Sequence, residues 1–277
     1  MALLQTQIYS DSLKRTVPIN VILPSDKVDE NGKRISKGPF KTLYLLHGIF
    51  GDHNDWITGT RLLRWAMDHD LAVVMPSGEN HFYLNQPGKG FDYSDFISNE
   101  LVGLTREMFP LSDKPEDTFI GGLSMGGWGA LYNGLSHPET FGGIAALSSA
   151  VVGEGMFPED DNGDDLFSQK SFVEACSGQT KESVLEPEFD LKTMIETNAA
   201  DDSLQKIYLT CGTEDGLLFG SRILKDLFLK NGYDLIYDEQ SGGHDWDFWD
   251  MEIRKVIDWI SPEKQSGISS GNIGKKS

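Results

Sequence analysis

The sequence predicts an α/β protein with a mainly parallel central sheet, antiparallel strands at its N-terminal end and helices on both faces. Short runs that are almost entirely apolar alternate with segments of helical length, the pattern of strands buried on both faces of a sheet. The first two β-rich segments, by contrast, are close enough in sequence to pair as a hairpin. The 277 residues contain no repeat and no linker, so one domain is expected.

The elements follow this order along the chain. The hairpin comprises residues 2–9 and Arg15–Leu23, and a polar loop with an Asn31-Gly32 turn signal follows it. Buried strands are then predicted at Thr42–Leu46, 71–75, 117–121, 142–147, 207–211 and 235–237. Helices are predicted at 61–69, 92–109, 127–137, 217–230 and Trp246–Ile260, two of them ended by a proline.

Two parts of the chain depart from this alternation. Residues 151–202 are polar, acidic and irregular, with helical character near 168–176, and are interpreted as an insertion into a single domain spanning 1–260. The acidic run at 158–165 lacks the ligand spacing of an EF-hand and is interpreted as a solvated loop. Residues 261–277, rich in Gly, Ser and Lys, are predicted to form a disordered tail.

Composition limits the classes of partner. A formal net charge of −19 disfavours nucleic acid, because phosphate binding needs clustered Lys and Arg. No apolar run reaches the roughly 18 residues of a membrane span, and the first residues lack the basic start and apolar core of a secretion signal. Cys176 and Cys211 give no disulfide framework, so a cytoplasmic location is the default expectation.

Ser124 is the strongest candidate for a catalytic residue. Gly122-Leu123-Ser124-Met125-Gly126 has the G-x-S-x-G form of a nucleophile elbow, a sharp strand-to-helix turn that exposes the serine hydroxyl above the sheet. A predicted strand precedes the motif and a predicted helix follows it. Because glycine is abundant in this chain, the pattern alone would also fit an ordinary turn, and the assignment depends on the partners of the serine.

A serine nucleophile needs a histidine base and an acid that orients the base. After an elbow of this type, the acid comes first along the chain and the histidine last. Of the six histidines, His244 is the one that follows the elbow in a loop after a late strand. Asp215 lies directly after a predicted strand and is the preferred acid, with its neighbour Glu214 as the competing candidate. Asp245 and Asp247 are better interpreted as helix N-cap residues.

Two backbone amides are predicted to form an oxyanion hole. One belongs to Met125, the residue after the nucleophile, and the other to Ile49, in the glycine-containing loop after an early strand. His47 in the same loop could be a base, but its place at the strand end favours a loop-shaping or substrate-binding role. Trp128 and Trp246 are further candidates for substrate binding, although aromatic residues near helix starts are often part of the core.

These residues resemble the esterase D-like branch of the α/β-hydrolases, which includes tributyrin esterases, feruloyl and acetylxylan esterases, S-formylglutathione hydrolases and mycolyltransferases. The resemblance covers most of the chain except the insertion and the tail. It is carried by the elbow and by Leu43-Tyr-Leu-Leu-His-Gly48, Cys211-Gly-Thr-Glu-Asp215 and Gly243-His-Asp-Trp246. It implies an α/β-hydrolase fold with no metal or organic cofactor. It also implies Ser124, Asp215 and His244 as the triad, with Ile49 and Met125 as amide donors.

The function expected from this set is hydrolysis of short-chain acyl esters, acetyl or butyryl and including carbohydrate-linked ones, through an acyl-enzyme intermediate. The expected partner is therefore a small-molecule ester, with a homo-oligomer left open. The alternatives are an S-formylglutathione-type thioesterase, a feruloyl esterase, an acyltransferase and an inactive hydrolase fold that serves as a binding module. The acidic insertion contains no motif that identifies the substrate.

Overall fold

The computed structural model describes residues 2–201, 203–264 and 267–268, and its centre is one mixed sheet in the order β1-β2-β4-β3-β5-β6-β7-β8. β1 pairs with β2, and β2 with β4, in antiparallel fashion, while the remaining neighbours are parallel. The predicted mainly parallel sheet with an antiparallel N-terminal hairpin is thereby confirmed. The strands are β1 Ala2–Ser10, β2 Arg15–Leu23, β3 Thr42–Leu46, β4 Ala72–Pro76, β5 Thr118–Leu123, β6 Gly143–Leu147, β7 Lys206–Gly212 and β8 Asp234–Gln240.

Helices cover both faces of this sheet. α1, α2 and α9 pack on one face, where Trp56, Trp65 and Ile253 belong to one buried cluster, and the others pack on the opposite face around Leu101 and Trp128. Within the described residues, no helix is long and apolar enough to cross a bilayer. The helices are α1 Asp55–Gly59, α2 Leu62–Asp68, α3 Tyr93–Asp95, α4 Leu101–Met108, α5 Met125–Ser136, α6 Lys170–Ser177, α7 Leu191–Ala200, α8 Leu218–Lys230 and α9 Trp246–Ile260.

The helix predicted at 92–109 contains a π-helical segment, Phe96–Glu100, between α3 and α4. The Glu100 carboxylate accepts hydrogen bonds from Ser10 Oγ and from the N–H of Asp11, both at 2.6 Å. The end of the π-helical segment is thus attached to the β1–β2 turn. Local apolar spacing predicts the helix but carries no signal for this wider turn.

The insertion at 151–202 is more regular than the sequence predicts. It contains α6 and α7, and Asp190 caps α7 by accepting hydrogen bonds from the N–H groups of Lys192 and Thr193, both at 3.2 Å. Leu191 and Ile195, four residues apart, are buried. The acidic composition of the segment conceals this short apolar spacing, and the sequence analysis therefore did not include α7.

Part of the predicted disordered tail, 261–277, is described. Ser261 Oγ donates to the carbonyl oxygen of His69 at 2.9 Å, and the Ile268 N–H donates to that of Val28 at 2.9 Å. These contacts attach two positions of the tail to the loops beside the sheet. Residues 265–266 and 269–277 of that prediction lie outside the described residues.

Candidate active site

Ser124 lies where β5 ends and α5 begins. Its φ of 53° and ψ of −117° are values that a non-glycine residue rarely adopts. The turn is tight, since a Cβ at Gly122 would lie 2.4 Å from the carbonyl oxygen of Gly126, and one at Gly126 would lie 2.5 Å from that of Leu46. Both positions therefore require glycine, which is the physical reason for the G-x-S-x-G pattern.

His244 connects Ser124 to Asp215 through two hydrogen bonds. The imidazole lies in the loop between β8 and α9, with Nε2 3.0 Å from Ser124 Oγ and Nδ1 2.9 Å from Asp215 Oδ2. Because an ionised carboxylate can only accept, Nδ1 carries the imidazole proton and Nε2 is left to accept from the serine hydroxyl. The structure thus brings together the three residues that the sequence predicts as nucleophile, base and acid.

Asp215 is buried and ionised. Its side chain is 1% exposed, and Oδ1 accepts a hydrogen bond from the Leu217 N–H at 2.8 Å. Burial alone would raise the pKa of this carboxyl, but the hydrogen bonds from His244 and Leu217 outweigh it and hold the pKa below its ordinary value of 3.8. The competing candidate, Glu214, instead accepts from the N–H of Gly242 at 2.5 Å and so shapes the histidine loop.

Two residues that the sequence analysis did not select support this arrangement. Trp249 in α9 packs with its ring at 86° to the imidazole of His244, with the ring centroids 4.9 Å apart. The indole N–H of Trp249 donates to Ser148 Oγ at 3.2 Å. Ser148 directly follows β6, and its hydroxyl contributes to lowering the pKa of Asp215. Its position at the carboxyl end of a parallel strand is the sequence signal that could have identified it.

The two predicted oxyanion donors, Ile49 and Met125, line the cavity into which Ser124 opens. The Ile49 N–H has no acceptor among the residues that the structure describes. The Met125 N–H belongs to the first turn of α5, where backbone amides have no partner within the helix. This position beside Ser124 agrees with the predicted oxyanion hole, which stays a prediction.

The cavity at Ser124 has a volume of about 570 Å³ and is mainly apolar. Among the described residues, no Lys or Arg lines it, and its one carboxylate, Asp215, is committed to His244. The insertion supplies part of the wall, and the sequence analysis selected none of those residues. Besides the triad and the two amide donors, the lining residues are Phe82, Ala150, Val151, Gly155, Met156, Phe167, Gly216 and Leu217.

An aromatic cluster joins the insertion to the oxyanion loop. Phe50, next to Ile49, has a φ of 65°, and its N–H donates to Asn80 Oδ1 at 2.8 Å. The Phe50 ring centroid lies 6.0 Å from that of Phe167 and 6.1 Å from that of Phe172, and these two are 5.8 Å apart. The cavity wall and the loop that carries the Ile49 amide therefore pack against each other.

The three residues predicted to bind substrate do not line the cavity at Ser124, and their role in binding stays a prediction. His47 is buried, with Nδ1 bonded to the Gly48 carbonyl oxygen at 2.7 Å and Nε2 accepting from the Gly78 N–H at 2.8 Å. Burial lowers its pKa, so the imidazole is neutral and holds the loop in shape. Trp128 is fully buried and stacks on Tyr132, whose ring in turn stacks on Phe189 of the insertion, and Trp246 packs edge-on against neighbouring tryptophans.

Known proteins are similar to this chain in sequence and in fold. Residues 10–258 match the family model Esterase, described as "Putative esterase". The acetyl esterase of Caldicellulosiruptor saccharolyticus is 39% identical over 265 residues, which cover 94% of this chain and 98% of that protein.

Two solved structures from Staphylococcus aureus are similar over 94% of this chain and 98% of theirs. An S-formylglutathione hydrolase is 27% identical with a TM-score of 0.77. The fluorophosphonate-binding serine hydrolase F is 28% identical with a TM-score of 0.79. The chain therefore belongs to the esterase family, has the α/β-hydrolase fold and is a carboxylic ester hydrolase of the serine type.

Proposed function

We propose that this esterase hydrolyses short-chain acyl esters, with Ser124 as nucleophile, His244 as general base and acid, and Asp215 as the residue that orients the imidazole. The observation that carries the proposal is the pair of hydrogen bonds, 3.0 and 2.9 Å long, that links these side chains at the floor of an apolar cavity. This is the geometry that activates a serine hydroxyl at neutral pH.

In the acylation step, Ser124 Oγ attacks the ester carbonyl carbon while His244 Nε2 takes the hydroxyl proton. The carbonyl electrons move onto oxygen, and the N–H groups of Ile49 and Met125 stabilise the oxyanion. When the tetrahedral intermediate collapses, the bond to the alcohol oxygen breaks and that oxygen takes the proton from Nε2. Asp215 keeps the proton on Nδ1 and stabilises the transient imidazolium.

Water completes the cycle. His244 Nε2 takes a proton from a water molecule, whose oxygen attacks the acyl carbon held on Ser124 Oγ. Collapse then returns the proton to Oγ and releases the carboxylic acid. The His244 side chain is 37% exposed, so solvent reaches the base directly. This exposure favours hydrolysis over acyl transfer, which requires that water be kept out.

The cavity favours uncharged ester substrates with small acyl groups. Its lining is mainly apolar and contains no Lys or Arg among the described residues, and the whole chain carries a net charge of −19. The glutathione carboxylates of S-formylglutathione would therefore meet no cation at this site, which places that thioester second. The similarity to an acetyl esterase at 39% identity supports acetyl and butyryl esters as the first choice.

Ser124→Ala tests the assignment of the nucleophile. We expect kcat for p-nitrophenyl acetate to fall by roughly 10⁴ or more, because loss of a triad member leaves only binding and the oxyanion donors. A fluorophosphonate probe should label the native protein and leave the variant unlabelled. Near-normal hydrolysis by the variant would refute the assignment, and an unlabelled native protein would indicate an inactive fold used for binding.

A substrate panel separates the enzymatic alternatives. Comparison of kcat/KM for acetyl, butyryl and feruloyl esters and for S-formylglutathione should rank the short acyl esters first. A feruloyl ester in first place would identify a feruloyl esterase, and S-formylglutathione in first place would identify the thioesterase.

We also propose that the protein acts in the cytoplasm. Cys176 and Cys211 are unpaired and buried, and burial raises the pKa of both thiols, so neither is readily oxidised. A chain of this kind has no need of an oxidising compartment. Fractionation of the source cells, with activity recovered in the cytosolic fraction, is the expected result.

A further inference from the structure

A second apolar cavity, of about 750 Å³, lies beside the one at Ser124. It is formed between the insertion and α8. Its polar side chains come from the start of α7, and the Asp190 carboxylate among them already caps that helix. The apolar lining residues are Val151, Val152, Val184, Leu185, Pro187, Phe189, Leu191, Ile223, Leu224 and Leu227.

Val151 lies at the junction of the two cavities. It lines both of them, whereas the preceding Ala150 lines only the cavity at Ser124 and the following Val152 lines only the second one. The chain also passes from one cavity to the other near α8, where Leu217 lines the first cavity and Gly220 lines the second. A Cβ at position 220 would lie 3.5 Å from Val151 Cγ2, so the absence of a side chain there leaves space beside the valine.

We infer that Val151 sets the longest alkyl chain that the esterase accepts, and that the second cavity is a distal subsite for an unbranched alkyl chain once this side chain is removed. The inference rests on the proposed function of Ser124. A chain that extends from the first cavity into the second passes Val151, which lines both. Beyond it, continuous apolar surface is available, and burial of each methylene contributes about 0.8 kcal/mol, or roughly fourfold in binding.

Val151→Ala is the test, with two substrate series that distinguish the side of the ester that enters. The acyl series is p-nitrophenyl acetate, butyrate and octanoate, and the alcohol series is butyl and octyl acetate. In one of the two series we expect a change in the ratio of kcat/KM for the eight-carbon substrate to kcat/KM for the four-carbon substrate. This ratio should be about tenfold higher in the variant than in the native protein. Full burial of the four added methylenes would contribute roughly fourfold for each. The expected rise is smaller because both cavities stay open to solvent. Val151 is 43% exposed, so the variant should fold normally, and thermal unfolding checks this.

Ile223→Lys provides the matched control. Ile223 lines only the second cavity and is 47% exposed, so this substitution alone should leave butyrate hydrolysis unchanged. Combined with Val151→Ala, it should abolish the gain on octyl substrates by placing a charge in the distal subsite.

Three outcomes would count against the inference. Unchanged ratios in both series, with butyrate hydrolysis intact, would overturn it and leave the proposed function standing. A gain that survives Ile223→Lys would exclude the second cavity as the subsite. Absence of hydrolysis of every ester by the native protein would overturn the proposed function itself.

Discussion

Asp215→Asn should reduce kcat by about 10⁴ although it replaces one side chain with another of nearly the same shape. The Leu217 N–H donates to Oδ1 at 2.8 Å, so the asparagine must place its carbonyl oxygen there to keep this bond. Its NH₂ group then takes the position of Oδ2, which lies 2.9 Å from His244 Nδ1. Nδ1 becomes an acceptor, the proton moves to Nε2, and the imidazole can no longer take the proton of Ser124. A loss of 10⁴ corresponds to about 5.4 kcal/mol of transition-state stabilisation.

The assay is the steady-state hydrolysis of p-nitrophenyl acetate, with circular dichroism and thermal unfolding to show that the variant is folded. Glu214→Gln is the matched control, because an amide oxygen can still accept from the Gly242 N–H that Glu214 now binds. We expect this control to retain kcat within about threefold. A folded Asp215→Asn protein with kcat within tenfold of the native value would refute the role of Asp215. A large loss in the control alone would favour Glu214 instead.

Three further predictions concern stability. His47→Gln should reduce the loss of unfolding free energy that occurs as the pH falls. Burial holds the folded pKa of His47 below its ordinary 6.5, so the unfolded chain binds the proton first, and native stability falls as pH drops from 6.5 to the folded pKa. The free energy of unfolding, measured in urea, is compared between the native protein and the variant from pH 5 to 7.5. The same dependence on pH in both proteins would contradict this prediction. Gly126→Ala should destabilise by about 3 kcal/mol, because its Cβ would lie 2.5 Å from a carbonyl oxygen. Gly103→Ala in α4, where a Cβ meets nothing within 4 Å, should stabilise by roughly 0.5–1 kcal/mol with full activity. The same urea experiment measures both, and a less stable Gly103→Ala protein would be the contrary result.

The triad geometry could be predicted because its determinants are local and ordered. The elbow needs small residues two positions either side of Ser124, and Asp215 and His244 each follow a strand whose carboxyl end lies at the same edge of the sheet. The cavity wall could not be predicted in this way. Met156 and Phe167 line the cavity at Ser124 through the packing of the insertion, which no short-range pattern encodes. Trp128 and Trp246 do not line the cavity, because closeness in sequence to a site does not determine the direction in which a helix side chain points.

The positive φ of Ser124 has a consequence for the engineering of this enzyme. A non-glycine residue in such a conformation costs on the order of 1–3 kcal/mol, and the surrounding turn maintains it. Glycine at position 124 would relieve that cost and remove the nucleophile in the same step. A library screened for heat tolerance alone would therefore enrich inactive chains at this position. Selection for a more robust enzyme has to require turnover in every round.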